Sequence, residues 1–221
     1  MARTIIVGDV HGCYETLQML LREIQLTDED RLISIGDLVD KGPRIRETLD
    51  FFLTRPRTHI IMGNHEYHFI DYFREGGQER NARMLRFGLQ ETLDQLGKTA
   101  REYAKKLARK PKYLTAIDRR YVFCHADWNW RSGETFIRAH LIRHINAETH
   151  ADYEGPVIVH GHTPCPPEAM YEWSTSGRLL GINLDGGCYA GMNGENRASL
   201  RAMITDNQTL KGTIHEVAYC E

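Results

Sequence analysis

A chain of 221 residues with 28 Lys and Arg against 30 Asp and Glu has a net charge of −2, so charge alone draws it neither to nucleic acid nor to a membrane surface. Apolar residues at 41% and charged residues at 26% match a soluble globular domain with a sizeable core, not a disordered chain. No apolar run approaches the ~18 residues that cross a bilayer, and no apolar leader follows the first basic residue.

The predicted elements begin almost at once. Short apolar runs of strand length and composition occupy residues 4–7, 31–35, 59–62, 121–124, 157–160, 179–184, 199–205 and 212–218. Between the early runs, residues 14–24 place Leu17, Leu20, Leu21 and Ile24 on one helical face. Residues 45–53 do the same with Ile45, Leu49, Phe52 and Leu53. Strand–helix alternation predicts an α/β fold. The helix-free strands at the end predict a mixed sheet or a two-layer β core. Residues from about 78 to 112 are long, polar and helical in pattern, and are expected to form a helical insertion. No linker tract splits the chain, so residues 1–221 are expected to form one domain.

The residues just past each run carry the chemistry. The first run leads into Gly8-Asp9-Val10-His11-Gly12, the second into Gly36-Asp37-Leu38-Val39-Asp40-Lys41-Gly42, and the third into Gly63-Asn64-His65-Glu66. The fourth leads into His125-Ala126-Asp127 and the fifth into Gly161-His162-Thr163-Pro164. Ligands of α/β sheets bind beyond the carboxyl ends of the strands, so these tags deliver carboxylates, imidazoles and one carboxamide to one sheet edge. Mixed oxygen and nitrogen donors of this kind suit Mn²⁺, Fe or Zn²⁺. One such tag would mean little, but five glycine-linked tags in order are hard to reach by chance.

This set resembles the phosphoprotein-phosphatase branch of the calcineurin-like metallophosphoesterases. It is most similar to small bacterial and phage serine/threonine protein phosphatases and to symmetrical diadenosine tetraphosphatases. The resemblance spans residues 5–191 and implies a four-layer αββα fold with a sandwiched mixed β core. It implies two divalent metal ions, Mn²⁺ first among the choices, with Asp9 and His11 on one, Asp37 bridging, and Asn64, His125 and His162 on the other. His65 is then the general acid, Asp40 orients it, and Glu66 supports the site without ligating. Lys41 stands where the branch usually has Arg and brings a point charge without the bidentate fork. Arg143 is the second expected phosphate-binding cation, with Arg138 as its fallback. The implied activity is hydrolysis of phosphate monoesters, foremost phosphoserine and phosphothreonine proteins, by direct attack of a metal-bridging hydroxide. The alternative is symmetrical cleavage of diadenosine tetraphosphate to two ADP. A nuclease would carry Gly-His-x-His where this chain has Pro164, and a decayed binding module would have lost ligands, whereas every expected position is filled.

Other features have plainer readings. Cys13, Cys124, Cys165, Cys188 and Cys220 are odd in number and lack a C-x-x-C pair, so free thiols in a reducing cytoplasm are expected. His160 would share a strand face with His162, although the family pattern selects His162. Lys98, Arg101, Lys105, Lys106, Arg109, Lys110 and Lys112 are expected to form a solvated helix face, with substrate steering as the sharper possibility. Trp128 and Trp130 are balanced between core and pocket lining. The partners expected are phosphorylated proteins or nucleotides, without stable nucleic-acid or membrane binding.

Overall fold

The computed structural model describes residues 3–74, 85–115, 120–129, 134–135, 153–206 and 212–221. Three strand–helix units open the chain: β1 (Arg3–Val7) and α1 (Tyr14–Glu23), β2 (Arg31–Ser34) and α2 (Ile45–Thr54), then β3 (Thr58–Ile60) and α3 (Asn64–Tyr72). Two further helices follow, α4 (Gln90–Leu96) and α5 (Ala100–Leu107). The remaining strands are β4 (Tyr113–Thr115), β5 (Tyr121–Cys124), β6 (Trp128–Asn129), β7 (Glu134–Thr135), β8 (Val157–His160), β9 (Tyr171–Trp173), β10 (Leu179–Asn183), β11 (Ser199–Asp206) and β12 (Gly212–Ala218).

They form two mixed five-stranded sheets, in the orders β12-β11-β1-β2-β3 and β4-β5-β8-β10-β9, beside a small β6-β7 ladder. In the first sheet β1, β2 and β3 are parallel, with Ile6 opposite Ile33 and Ser34 opposite Ile60. In the second, β5, β8 and β10 are parallel. The six strand ends that matter therefore point one way within each sheet.

Side-chain alternation along each strand divides the core. Ile6, Ile33, Ile35 and Ile61 meet Phe123, Val159, Ile182, Leu184 and Met203 between the sheets. Their neighbours Ile5, Val7 and Leu32 face the helices and pack on Leu17, Leu20, Leu49 and Phe52. A third cluster, built on Val122, Cys124, Ile158 and Leu180, covers the outer face of the second sheet with Tyr153 and Trp128. Among the described residues no α-helix contributes to it. Trp128 thus packs against core, while Trp130 lies outside the described residues.

The sequence misses α3, whose start coincides with the Gly63-Asn64-His65-Glu66 tag, and the short strands β4, β6, β7 and β9. Three residues or fewer carry too little periodicity to register. The described part of the expected insertion begins at residue 85 and is helical, turning at Gly88 (φ 110°) before α4. Residues 78–84 lie outside the described residues. Leu96, Ala100, Tyr103, Ala104 and Leu107 join the same core cluster as Phe69 and Ile70 of α3. Residues 96–107 thus pack as part of the helical layer.

Candidate metal centre

The tags expected at one sheet edge come instead from two sheets, the first three from β1, β2 and β3 and the last two from β5 and β8, and the carboxyl ends of both parallel sets meet at one place. Beyond β1, Asp9 and His11 are both 2% exposed; beyond β2, Asp37 is 2% exposed and Asp40 fully buried. Asn64 and His65 open α3, His125 follows β5, and His162 follows β8. Glycines let these segments approach. A Cβ on Gly161 would overlap the Asp9 carboxylate and one on Gly63 the Asp37 carboxylate; one on Gly36 would lie 2.9 Å from His125 Nδ1.

Two groups of ligand-type atoms share Asp37. In one, atoms of His11, Asp37 and His65 lie within 4.8 Å of one another; in the other, atoms of Asp37, His125 and His162 do. His11 Nε2 is 3.5 Å and His65 Nε2 3.8 Å from Asp37 Oδ2, and His125 Nε2 is 3.3 Å from Asp37 Oδ1. Asn64 Oδ1 sits 2.8 Å from both His125 Nε2 and His162 Nδ1. Asp9 enters from the His162 side, where its Oδ2 accepts the His162 amide at 3.0 Å.

The donor set fits a divalent cation. His11 Nδ1 donates to the Val39 carbonyl at 2.8 Å and His125 Nδ1 to the Ile35 carbonyl at 3.0 Å. Both rings therefore turn the Nε2 lone pair inward, an outer-layer arrangement typical of metal-ligating histidines. The His125 Nε2 lone pair then faces Asn64 Oδ1 at 2.8 Å, two acceptors that need a cation or a proton between them. Asp9 Oδ1 is buried with no hydrogen-bond partner, a cost that a cation would remove.

Electrostatics divide the histidines. Burial, then Lys41 and His65, hold His11 well below the usual imidazole range. Burial also opposes charge on His125, but Asp37, Asp9 and Glu66 outweigh it and push its pKa up to about 10. Burial would raise Asp37, yet His125 and His65 keep it well below the usual carboxylate range. Asp9 is pushed well up by burial and by the nearby Asp185.

His65 stands apart, with Nδ1 bound to Asp40 Oδ2 at 2.6 Å. Burial lowers its pKa, but Asp37 and Asp40 prevail and raise it. Glu66 takes no ligand position: Oε2 accepts the amides of Asp37 at 2.8 Å and Gly63 at 2.9 Å, and Oε1 accepts those of Leu38 at 2.7 Å and Val39 at 3.2 Å. It clamps the loop after β2 to the start of α3. Lys41 donates from Nζ to His11 Nε2 at 3.0 Å and lies 3.6 Å over the Tyr189 ring, so its charge rests at a nitrogen of the candidate ligand set. Arg143 and Arg138 lie outside the described residues.

His160 does not share the face of His162, because the chain turns through Gly161 and His162 takes φ 77°. Its Nε2 pairs instead with Glu172 at 2.8 Å. Cys13 touches Cys188, which together with burial pushes its thiol pKa far up. Sequence reasoning missed Asp185 and Tyr189. The signal was present: the run 179–184 ends in Asp185-Gly186-Gly187, the same grammar as the other tags, and β10 is parallel to β8. Asp185 is 2% exposed and adds negative potential beside Asp9.

The curated relatives include the symmetrical bis(5'-nucleosyl)-tetraphosphatase of Vibrio parahaemolyticus serotype O3:K6, 33% identical over 132 residues, or 56% of this chain and 44% of that enzyme. The match thus spans less than half the length of that relative. Among solved structures, a metallophosphoesterase from Sphaerobacter thermophilus superposes with TM-score 0.60 at 21% identity, covering 99% of this chain and 89% of that one. A protein serine/threonine phosphatase from Saccharomyces cerevisiae with similarity to human PP5 gives TM-score 0.63 at 14% identity, covering 100% and 81%. Those likenesses show the fold. Residues 2–185 match the family model of the calcineurin-like phosphoesterases, and this chain belongs to that family.

Proposed function

We propose that the chain hydrolyses a dinucleoside tetraphosphate of the diadenosine type symmetrically, to two nucleoside diphosphates. The observation that carries this is the 33% identity over 132 residues to an enzyme named for that reaction. The buried array of imidazoles and carboxylates sharing Asp37 supports it as a hydrolytic centre. This reverses the order expected from sequence, where phosphoprotein hydrolysis came first. That second reading keeps support from His125-Ala126-Asp127 and Gly161-His162-Thr163-Pro164, which resemble the phage-type phosphatases.

In this proposal Asp9, His11, Asp37, Asn64, His125 and His162 hold a pair of divalent cations, Mn²⁺ foremost. When bound, such cations acidify water and offset the charge on phosphoryl oxygens. Asp37 lies between the two groups, and Asp185 strengthens the negative potential that gathers cations. Water is the nucleophile in this scheme, since the Cys13 thiol is buried and held in its neutral form by Cys188. His65 donates a proton from Nε2 to the leaving oxygen, while Asp40 Oδ2 accepts from Nδ1 and keeps the ring oriented. General acid help of this kind supplies ~10²–10⁴ in rate. Lys41 turns from His11 toward the substrate phosphates.

The test is incubation of the Mn²⁺-loaded chain with diadenosine tetraphosphate and, separately, with phosphoserine and phosphothreonine peptides. Conversion to ADP as sole product is expected. AMP and ATP as products, or turnover of the peptides alone, would overturn the proposal.

A further inference from the structure

α4 reaches the proton donor from outside the tagged motifs. Thr92 and Asp40 are both fully buried. Thr92 Oγ1 donates to Asp40 Oδ1 at 2.5 Å and accepts the Asp40 amide at 2.9 Å. One hydroxyl thus uses its proton and a lone pair on the same residue, which fixes its rotor. The second carboxylate oxygen, Oδ2, holds His65 Nδ1 at 2.6 Å. Both oxygens being engaged, the plane of the Asp40 carboxylate is set, and with it the direction in which His65 Nε2 points.

The rest of this segment grips the same loop. Gln95 Nε2 donates to the Gly42 carbonyl at 2.9 Å, and Gln95 Oε1 accepts the Ile45 amide at 2.7 Å. Gly88 backs so closely on the loop that a Cβ there would lie 2.6 Å from the Lys41 amide and 2.9 Å from Asp40 Cβ. A helical Thr commonly satisfies its hydroxyl on its own helix; here the hydroxyl is committed to the loop.

We propose that Thr92 is a positioning residue for the proton donor, acting through Asp40 to aim His65 at the leaving oxygen. This rests on the reading of His65 as general acid. A residue that only supports the fold would affect every substrate alike. A residue that aims the acid matters most where the leaving group needs a proton.

The experiment compares Thr92→Val and Thr92→Ser with the unaltered chain, each Mn²⁺-loaded, on p-nitrophenyl phosphate and phenyl phosphate. Nitrophenolate departs readily as an anion, whereas phenolate benefits from protonation. Thr92→Val is expected to lose roughly tenfold more kcat on the phenyl ester than on the nitrophenyl ester, a part of the ~10²–10⁴ that general acid help supplies. KM should change equally on both esters, and Thr92→Ser should recover most of the difference. Equal losses on the two esters, or a serine variant no better than valine, would overturn the proposal.

A second readout needs no turnover. In the Zn²⁺-loaded, ¹⁵N-histidine-labelled chain, the downfield ¹H resonance of His65 Nδ1–H should move upfield in Thr92→Val and return in Thr92→Ser. An unmoved resonance would also overturn the role. If the unaltered chain hydrolyses neither ester, the proposed cleavage of a dinucleoside tetraphosphate is untouched, and this resonance decides what Thr92 does.

Discussion

His11, Asp37, Asp40, Lys41 and His162 all hold positive φ, between 47° and 77°, although none is glycine. Such backbone costs ~1 kcal/mol or more per residue and persists only where neighbours over-determine it. Glu66 supplies that constraint for Asp37 through the amides of residues 37–39, and Thr92 supplies it for Asp40. The expected consequences are sharpest at Asp40. Asn at this position keeps the shape but removes the negative charge that helps raise His65. The acid must be protonated to work, so kcat falls as pH rises through its pKa. Losing Asp40's charge lowers that pKa, and Asp40→Asn should shift the basic limb of the kcat profile to lower pH. On poor leaving groups kcat should also drop, by roughly 10-fold or more. A basic limb that stays in place would show that His65 is not the group titrating there.

At the scale of elements, the helical segment does two separable things. Its inner face enters the main core and, through Thr92 and Gln95, holds the loop after β2. Its outer face is charged: Arg101, Lys105, Lys106 and Arg109 are exposed, and Lys106 lies 5.2 Å over the Tyr103 ring. The apolar residues Ala100, Tyr103, Ala104 and Leu107 fall at helical spacing on the opposite side, so the basic residues fill the face left to solvent. Replacing Lys105, Lys106 and Arg109 with Gln is therefore expected to leave KM at about 0.1 M salt within about twofold, since exposed charges beyond ~10 Å are largely screened there. A larger rise in KM that disappears on adding salt would instead mark this face as steering anionic substrate.

For the whole molecule, the site joins both sheets. β1, β2 and β3 of one sheet and β5, β8 and β10 of the other contribute to it, so a bound cation would cross-link the two halves of the sandwich. Burial opposes charge on His125, yet the surrounding carboxylates raise it from 6.5 to about 10. In the metal-free chain this contributes stability that is full below the unfolded value and fades as pH rises through about 10. A cation taking Nε2 at neutral pH must displace that proton, so apparent metal affinity should climb with pH up to that range. Adding Mn²⁺ to chelator-treated protein at pH 7.5 in weak buffer is expected to release protons and raise Tm. The gain is ~2.7 kcal/mol at a hundredfold excess over Kd. Binding without proton release would place the metal elsewhere than on His125.

The order of short apolar runs, most closed by glycine and all by a ligand-type side chain, determined the α/β class and pointed to the strand ends, while only the structure divided those strands between two sheets. That works because strand period and turn chemistry are local properties of the chain. Asp9, His11, Asp37, Asn64, His65, His125 and His162 could be named for the same reason: each stands one to four residues past a run. Only the tertiary structure decided their surroundings. Thr92 reaches Asp40 across 52 positions, and Tyr189 meets Lys41 from the far end of the chain. Neither carries a local signature, because a threonine in a helix or a tyrosine in a turn looks alike whether it faces solvent or a carboxylate. Asp185 had the local signature and went unread, since only the parallel pairing of β10 with β8 shows that its strand ends at the same edge. The fate of His160 likewise depended on the turn at Gly161, which breaks the strand period that would have set it beside His162.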